Sequence, residues 1–314
     1  MNADFDSDVL ILDGGLATEL EKRGYDISGP LWSARLLLDA PDAIEQLHYD
    51  YFAAGSQCVT SASYQASYGG FASIDMTPEE TTLLLQRSVA LAGSARDRFE
   101  TDELRDSNDS RADRKRRYVA ASVGPYGATL HDGSEYHGNY GLSVGELRAF
   151  HGPRFSVLTE SGADLLACET IPSFDEASAL LDLLGNHGEK GAWLTFTSPD
   201  GVHTSHGEPL VDCARAADGV ANVIGVGVNC VHPRVVLTAI RELSRGTGKP
   251  IVVYPNTGEQ WDADSRQWRG SPSGSRLADL APAWVDAGAR LIGGCCRTGP
   301  DDIAALARAL HGQV

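Results

Sequence analysis

Cys230, Cys295 and Cys296 each lie just past a short apolar run: Val223–Val228 leads to Asn229-Cys230, and Leu291–Gly293 leads to Gly294-Cys295-Cys296. Three thiolates can hold a Zn²⁺ ion tetrahedrally at about 2.3 Å each and leave the fourth position for a reactant, the pattern of a catalytic zinc. The Cys230-to-Cys295 spacing is not that of a zinc finger, so only the fold can bring the trio together. Neighbouring cysteines on a regular strand point to opposite faces. Cys295 and Cys296 reach one ion only where the chain leaves strand geometry, and Gly293-Gly294 permits that. A vicinal disulfide between them is the alternative, and a reducing compartment counts against it. A zinc held by three thiolates carries a net charge of about −1 and is a poor activator of water. It is suited to an incoming thiol, whose free pKa of about 8.5 it would lower enough to keep the thiolate at neutral pH. The matching reaction is attack of that sulfur on the methyl group of a cationic donor, a sulfonium or quaternary ammonium, with no separate base.

Other strand-like runs also end in polar or glycine-rich residues. Val9–Leu12 runs into Asp13-Gly14-Gly15, Tyr118–Ser122 into Val123–Gly127, Leu165–Cys168 into Glu169–Pro172, and Ile251–Tyr254 into Pro255–Glu259. Asp13 and Glu169 can accept hydrogen bonds from an α-ammonium group. Backbone N–H groups at Gly14 and Gly15, opening a helix over Leu16–Gly24, can receive a carboxylate. Together these suit an amino-acid thiol. A glycosidase-like carboxylate pair is the other reading of Asp13 and Glu169, but it leaves the three cysteines without a use.

The elements that must position these residues alternate along the chain. Eight strand-length runs, the six above together with Cys58–Ala62 and Trp193–Phe196, are rich in Val, Ile, Leu and Ala without clean alternation, as strands buried on both faces read. Helical patterns separate most of them: Pro41–Ala54, Pro78–Arg98, Val144–Ser161, Phe174–Asn186, Pro233–Arg245, Ser275–Ala287 and Pro300–Leu310. Pro41, Pro233 and Pro300 stand where a helix begins. Strand and helix alternating eight times predict a single-domain α/β fold over residues 1–314, a closed (β/α)₈ TIM barrel with its chemistry at the C-terminal strand ends. A doubly wound sheet would call for a G-x-G-x-x-G turn after the first strand, and Asp13-Gly14-Gly15 is not one. The polar stretch Glu100–Arg117 predicts a flexible insertion on the opposite face of the barrel.

Composition removes several function classes. The net charge of −17 repels nucleic acid and anionic membrane. The acids are 27 Asp and 16 Glu and the bases 22 Arg and 4 Lys, a balance that fits a salty cytoplasm or a GC-rich genome. No run of about 18 apolar residues predicts a membrane span, and the acidic start MNADFDSDVL lacks the apolar core of a signal peptide. Six cysteines are too few for a disulfide scaffold. Cys58 and Cys168 in apolar strands, and Cys213 on a helix, read as packing. The expected setting is cytoplasmic, with small-molecule partners and a monomer or weak homo-oligomer.

The motifs LDGGLATELEKRG (12–24), SYQAS (63–67), SVGPYGATLHDGSEYHGNY (122–140), ETIPSFDEA (169–177), GVNC (227–230), YPNTGE (254–259) and GGCCRTGP (293–300) resemble the zinc-dependent homocysteine S-methyltransferase family from end to end. The pairing of GVNC with GGCCR is the most specific part. The resemblance implies zinc at Cys230, Cys295 and Cys296, and homocysteine bound through its sulfur with its amino group near Asp13 and Glu169. It also implies Asn229 beside the metal, and Tyr126 and Glu135 on the methyl-donor side. The GPYGATLHDGSEYHGNY segment is most similar to relatives that use S-methylmethionine or S-adenosylmethionine. Relatives that use betaine carry a C-terminal arm, and those that use cobalamin or folate carry extra modules; the chain ends 18 residues past Cys296, which leaves room for neither. A betaine-using or selenol-accepting enzyme of the same family is the alternative. A zinc hydrolase would need His or Asp ligands, and a purely structural metal site a fourth ligand; neither is placed among these motifs.

Overall fold

The short runs pair side by side because each offers an unbroken buried surface. A computed structural model describes residues 9–29, 31–106, 116–186, 190–262, 267–269 and 276–312. In chain order the strands are β1 (Leu10–Ile11), β2 (Cys58–Thr60), β3 (Tyr118–Val123), β4 (Leu165–Ile171), β5 (Ala192–Phe196), β6 (Val223–Asn229), β7 (Ile251–Tyr254), β8 (Gln260–Asp262), β9 (Gln267–Arg269) and β10 (Ala289–Ile292). Eight of them form one parallel sheet in the order β1-β10-β7-β6-β5-β4-β3-β2. The edges meet: Leu12 bridges Cys58 in parallel, and Gln57 N–H donates to the Ile11 carbonyl at 2.7 Å. The sheet is therefore a closed barrel, as the alternation predicts. All eight predicted strands are present, with ends shifted by up to three residues.

Helices α1 (Leu16–Lys22), α2 (Leu36–Asp39) and α3 (Pro41–Ala53) follow β1; α4 (Tyr68–Ala72) and α5 (Pro78–Asp106) follow β2. Then α6 (Val144–Glu160), α7 (Phe174–Asn186), α8 (Leu210–Asp218), α9 (Val236–Ser244), α10 (Leu277–Asp286) and α11 (Pro300–His311) follow β3, β4, β5, β6, β9 and β10. Proline opens α3, α5 and α11, where its missing N–H costs nothing. Pro233 instead opens a short 3₁₀ turn that feeds α9.

Strand alternation divides the core in two. Leu10, Leu12, Leu165, Ala167, Trp193, Val252 and Leu291 fill the barrel interior. Ile11, Leu166, Leu194, Val253 and Ile292 face the helix layer. At about 25 cal/mol per Å² of apolar area, this double burial supplies most of the folding drive.

The charged stretch 100–117, expected as a flexible insertion, is described only at its two ends. Its first part continues α5 to Asp106. On the far side Arg117 pairs with Glu103 at 2.8 Å and lies over the Phe99 ring, 4.6 Å from its centroid. The helix persists because its aromatic face docks on α3, with Phe99 stacked on Phe52 at 6.1 Å, and polarity alone does not report that contact. Residues 107–115 lie outside the described residues. Among the described residues no helix is long and apolar enough to cross a membrane.

Candidate active site and metal centre

Cys230 leaves β6 with a left-handed φ of +50°, which turns its side chain over the barrel mouth. β10 stops at Ile292, so Cys295 and Cys296 sit in the turn beyond it and escape the up-down alternation of a strand. Glycine serves that turn by size: a Cβ on Gly294 would run into the Thr298 side chain. The turn is pinned from several sides. Cys295 N–H donates to the Pro255 carbonyl at 2.8 Å, Cys296 N–H to Asn256 Oδ1 at 3.1 Å, and Gly294 N–H to the Asp13 carbonyl at 2.9 Å.

The result is a trio of sulfurs all within 4.8 Å of one another. Cys230 Sγ lies 3.9 Å from Cys296 Sγ and is in disulfide contact with Cys295 Sγ. The close pair thus runs between β6 and β10 and not between the adjacent cysteines. Disulfide and metal are alternatives here, since a shared sulfur pair cannot also supply two thiolates. Three soft sulfur donors converging in one pocket are the donor set of a zinc-type ion. Burial, with the charges of Glu135 and Glu169, pushes the Cys296 thiol up to about 12, so without a metal it stays protonated at neutral pH.

One cleft joins this trio to both carboxylates read from the sequence; Asp13, Gly14, Gly15, Glu135, Glu169 and the three cysteines all line it. Asp13 is buried and accepts from Thr60 N–H at 2.8 Å. Burial, and then the nearby Glu169, hold its carboxyl well above the usual range. Glu169 accepts from Ser122 Oγ, and burial raises its pKa to about 7. Glu135 reaches the same cleft from the loop after β3. Its Oε2 is buried with no hydrogen-bond partner among the described residues, and burial raises its pKa to about 7 as well. Three buried acidic groups with raised pKa values in one cleft are the pattern of a functional site.

Asn229 lies under the sulfurs. Its Oδ1 accepts from Thr170 N–H at 2.7 Å and from Thr195 Oγ1 at 2.8 Å; its Nδ2 donates to Thr170 Oγ1 at 2.8 Å and lies 4.0 Å from Cys295 Sγ. This bracket holds Thr170 at a left-handed φ of +64°, beside Glu169. The ends of β4 and β6 are thereby tied together.

Two expectations come out differently. Gly15 N–H is committed to the Thr298 carbonyl at 2.9 Å, so it is not open to a ligand carboxylate; among the described residues no acceptor takes the Gly14 N–H. Tyr126 does not line the cleft. Its ring packs edge-on against Tyr140 and Phe150, with centroids 5.1 and 4.9 Å apart. The aromatic walls are instead Trp32, Tyr64 and Tyr136. Sequence reasoning also passes over Thr60, Ser122 and Tyr254, which orient the carboxylates or line the cleft. Their signal is a polar residue at an inward position near a strand end.

The geometry agrees with what the chain is similar to. A model of the homocysteine S-methyltransferase family matches residues 10–310. The homocysteine S-methyltransferase YbgG of Bacillus subtilis is 46% identical over 305 residues, covering 96% of this chain and 95% of that protein. A selenocysteine Se-methyltransferase of Brassica oleracea is 43% identical over 306 residues, covering 96% of this chain and 88% of that protein. Among solved structures, the homocysteine methyltransferase MmuM of Escherichia coli in its metallated form superposes with a TM-score of 0.84 at 43% identity, covering 96% of each chain. Its oxidized form gives 0.85 at 44% identity over the same share of each. The chain belongs to the homocysteine S-methyltransferase family.

Proposed function

We propose that this protein transfers a methyl group from a sulfonium donor, S-methylmethionine or S-adenosylmethionine, to the sulfur of homocysteine, forming methionine. The observation that carries the reading is the meeting of Cys230, Cys295 and Cys296 in one cleft with Asp13, Glu169 and Glu135. The three cysteines would hold Zn²⁺, which when bound makes the acceptor thiol acidic enough to react as a thiolate at neutral pH.

The chain's own groups then orient two amino-acid-like reactants. Asp13 and Glu169 sit close enough for the charge of one to raise the pKa of the other. An α-ammonium between them would return both to the carboxylate form and hold the acceptor. Asn229, through Thr170, keeps Glu169 in place. On the other wall Glu135 would face the positive donor, with the rings of Trp32, Tyr64 and Tyr136 around it. In the transfer a carbon–sulfur bond forms at the acceptor and the donor's carbon–sulfur bond breaks. That electron pair stays on the donor sulfur, which leaves as a neutral thioether, and the acceptor's proton goes to solvent. Because both charges are consumed, a dry cleft favours the step. A cytoplasmic setting, where thiols stay reduced, suits an enzyme that needs three free cysteines, and a monomer or weak homo-oligomer is the assembly that goes with this reading.

A selenol acceptor is the second reading, supported by the 43% identity to the selenocysteine Se-methyltransferase. The test is to offer the zinc-loaded protein homocysteine or selenocysteine with S-methylmethionine, S-adenosylmethionine or betaine. Methionine from a sulfonium donor, lost in Cys295→Ala, is the expected result. Absence of methylated product with every pair, at full zinc content, would overturn the proposal.

A further inference from the structure

His151, Arg154 and Glu176 are 0%, 1% and 0% exposed, so three ionisable side chains are buried together where α6 meets α7. Such burial carries a desolvation cost that apolar residues of similar volume would avoid. The trio is wired in one direction. Arg154 Nη2 lies 2.9 Å from His151 Nδ1, and Arg154 has only donors, so Nδ1 accepts. The ring proton is then on Nε2, which donates to Glu176 Oε1 at 2.9 Å. Burial and the Arg154 charge lower the His151 pKa, which keeps the ring neutral.

Both ends of the wire leave the helices for the same place. Arg154 Nη2 also donates to the Gly124 carbonyl, and Tyr126 N–H donates to Glu176 Oε1 at 2.6 Å. These two main-chain groups flank Pro125, at the root of the loop between β3 and α6. The loop then folds back on itself: a Cβ added to Gly127 would lie 2.5 Å from Glu135 N, so only glycine lets the two segments touch. Fixing the backbone at 124–126 therefore fixes the segment that carries Glu135 and Tyr136 into the cleft.

We infer that His151, Arg154 and Glu176 are positioning residues for the methyl-donor wall, setting donor affinity without touching either reactant. The inference rests on the reaction proposed above for its kinetic readout. Asp13 and the three cysteines hang from β1, β6 and β10, and the Glu169 side chain on β4 reaches β3 through Ser122, ahead of the 124–126 segment, so the two Michaelis constants separate a positioning role from a merely structural one.

The experiment uses the full-length, zinc-loaded protein with homocysteine and S-methylmethionine. Glu176→Gln keeps the shape and removes the negative charge. It is expected to raise the donor KM about tenfold, with homocysteine KM and zinc content unchanged. The paired variant Arg154→Met, Glu176→Met replaces both charges by apolar volume. It is expected to stay folded, since the loss of two desolvated charges offsets the partners lost by Gly124, Tyr126 and His151, and still to show the raised donor KM. A donor KM that stays normal in Glu176→Gln, or that returns to normal in the paired variant once stability is regained, overturns the inference. So does a parallel rise in both constants. Should the paired variant fail to fold, Glu176→Gln alone decides. If the wild type methylates nothing, the reaction proposal fails by itself, and amide hydrogen exchange decides the positioning role. Faster exchange confined to 124–136 in Glu176→Gln supports it, and unchanged or uniformly faster exchange refutes it.

Discussion

The half of the rim made by β1, β4, β6 and β10 presents Asp13, Glu169, Cys230, Cys295 and Cys296 within about four residues of a strand end. The half that carries Glu135 and Tyr136 is a loop running from 124 to 143, stiffened by two 3₁₀ turns and held at its root by α6 and α7. In the first half, strand ends brace one another, β6 to β4 across β5 through the Asn229–Thr170 bracket, and neighbours through the Cys295–Pro255 and Gly294–Asp13 hydrogen bonds. In the second, the bracing comes from behind, through buried charge. The difference fits a division of labour. In the proposed reaction the first half would tolerate little displacement, because three sulfurs would have to meet one ion. The second half, the donor side in that proposal, lies outside the strand ladder, between β3 and α6.

The largest expected effect falls on the first half. Cys230→Ser is expected to bring methyl transfer down to background and zinc content well below one per chain, while circular dichroism and the melting temperature stay near wild type, since the core lies below the rim. A collapsed circular dichroism spectrum would show that the trio also holds the fold. Next come Asp13→Asn and Glu169→Gln. Each should raise the homocysteine KM by about ten- to a hundredfold, the range for losing a charge-assisted contact, and leave the donor KM alone. A rise in the donor KM of the same size would erase the boundary drawn between the halves. Glu135→Gln is expected to do the reverse at a smaller scale, about tenfold on the sulfonium donor, because aromatic walls share that cation.

How much of this could be read from the chain follows the same division. Each strand end in the first half carries its own short motif, so β/α alternation and the Cys pattern were enough to place it. The second half was legible at Glu135 but not in its support. His151 and Arg154 sit at helical spacing on α6 and Glu176 in the first turn of α7, where charged residues read as a solvated face. Only the packing shows that they are buried. Tyr126 illustrates the converse: its place in the motif suggested the cleft, yet aromatic neighbours on α6 and in the loop hold its ring away. The short helix α8 (Leu210–Asp218) was read only as the helix that carries Cys213, without bounds.

The smallest expected effect on either KM belongs to neither half and serves as a control on both. His48 on α3 is fully buried, with no partner for either ring nitrogen among the described residues, and burial lowers its pKa to about 4. Between pH 6.5 and 4 the unfolded chain binds a proton there that the folded chain refuses. Its contribution is therefore whole above pH 6.5 and lost as pH falls, about 2–3 kcal/mol by pH 4.5. Glu135 and Glu169, raised to about 7, act with the opposite sign: their contribution is present below about pH 4.5 and lost as pH rises through 7. His48→Leu should flatten the acid limb of urea stability measured from pH 7 to 4.5 without altering either KM. An unchanged acid limb would mean that His48 finds a partner on folding.

Of the six non-glycine residues with positive φ among the described residues, Trp32, Thr170 and Cys230 line the cleft. Each holds a conformation that costs L-residues about 1 kcal/mol or more. A programme to make this enzyme survive heat would be drawn to those sites, since glycine or asparagine would ease the backbone there. Any melting temperature won in that way would come with slower turnover, so thermal hardening is better sought in the helix layer.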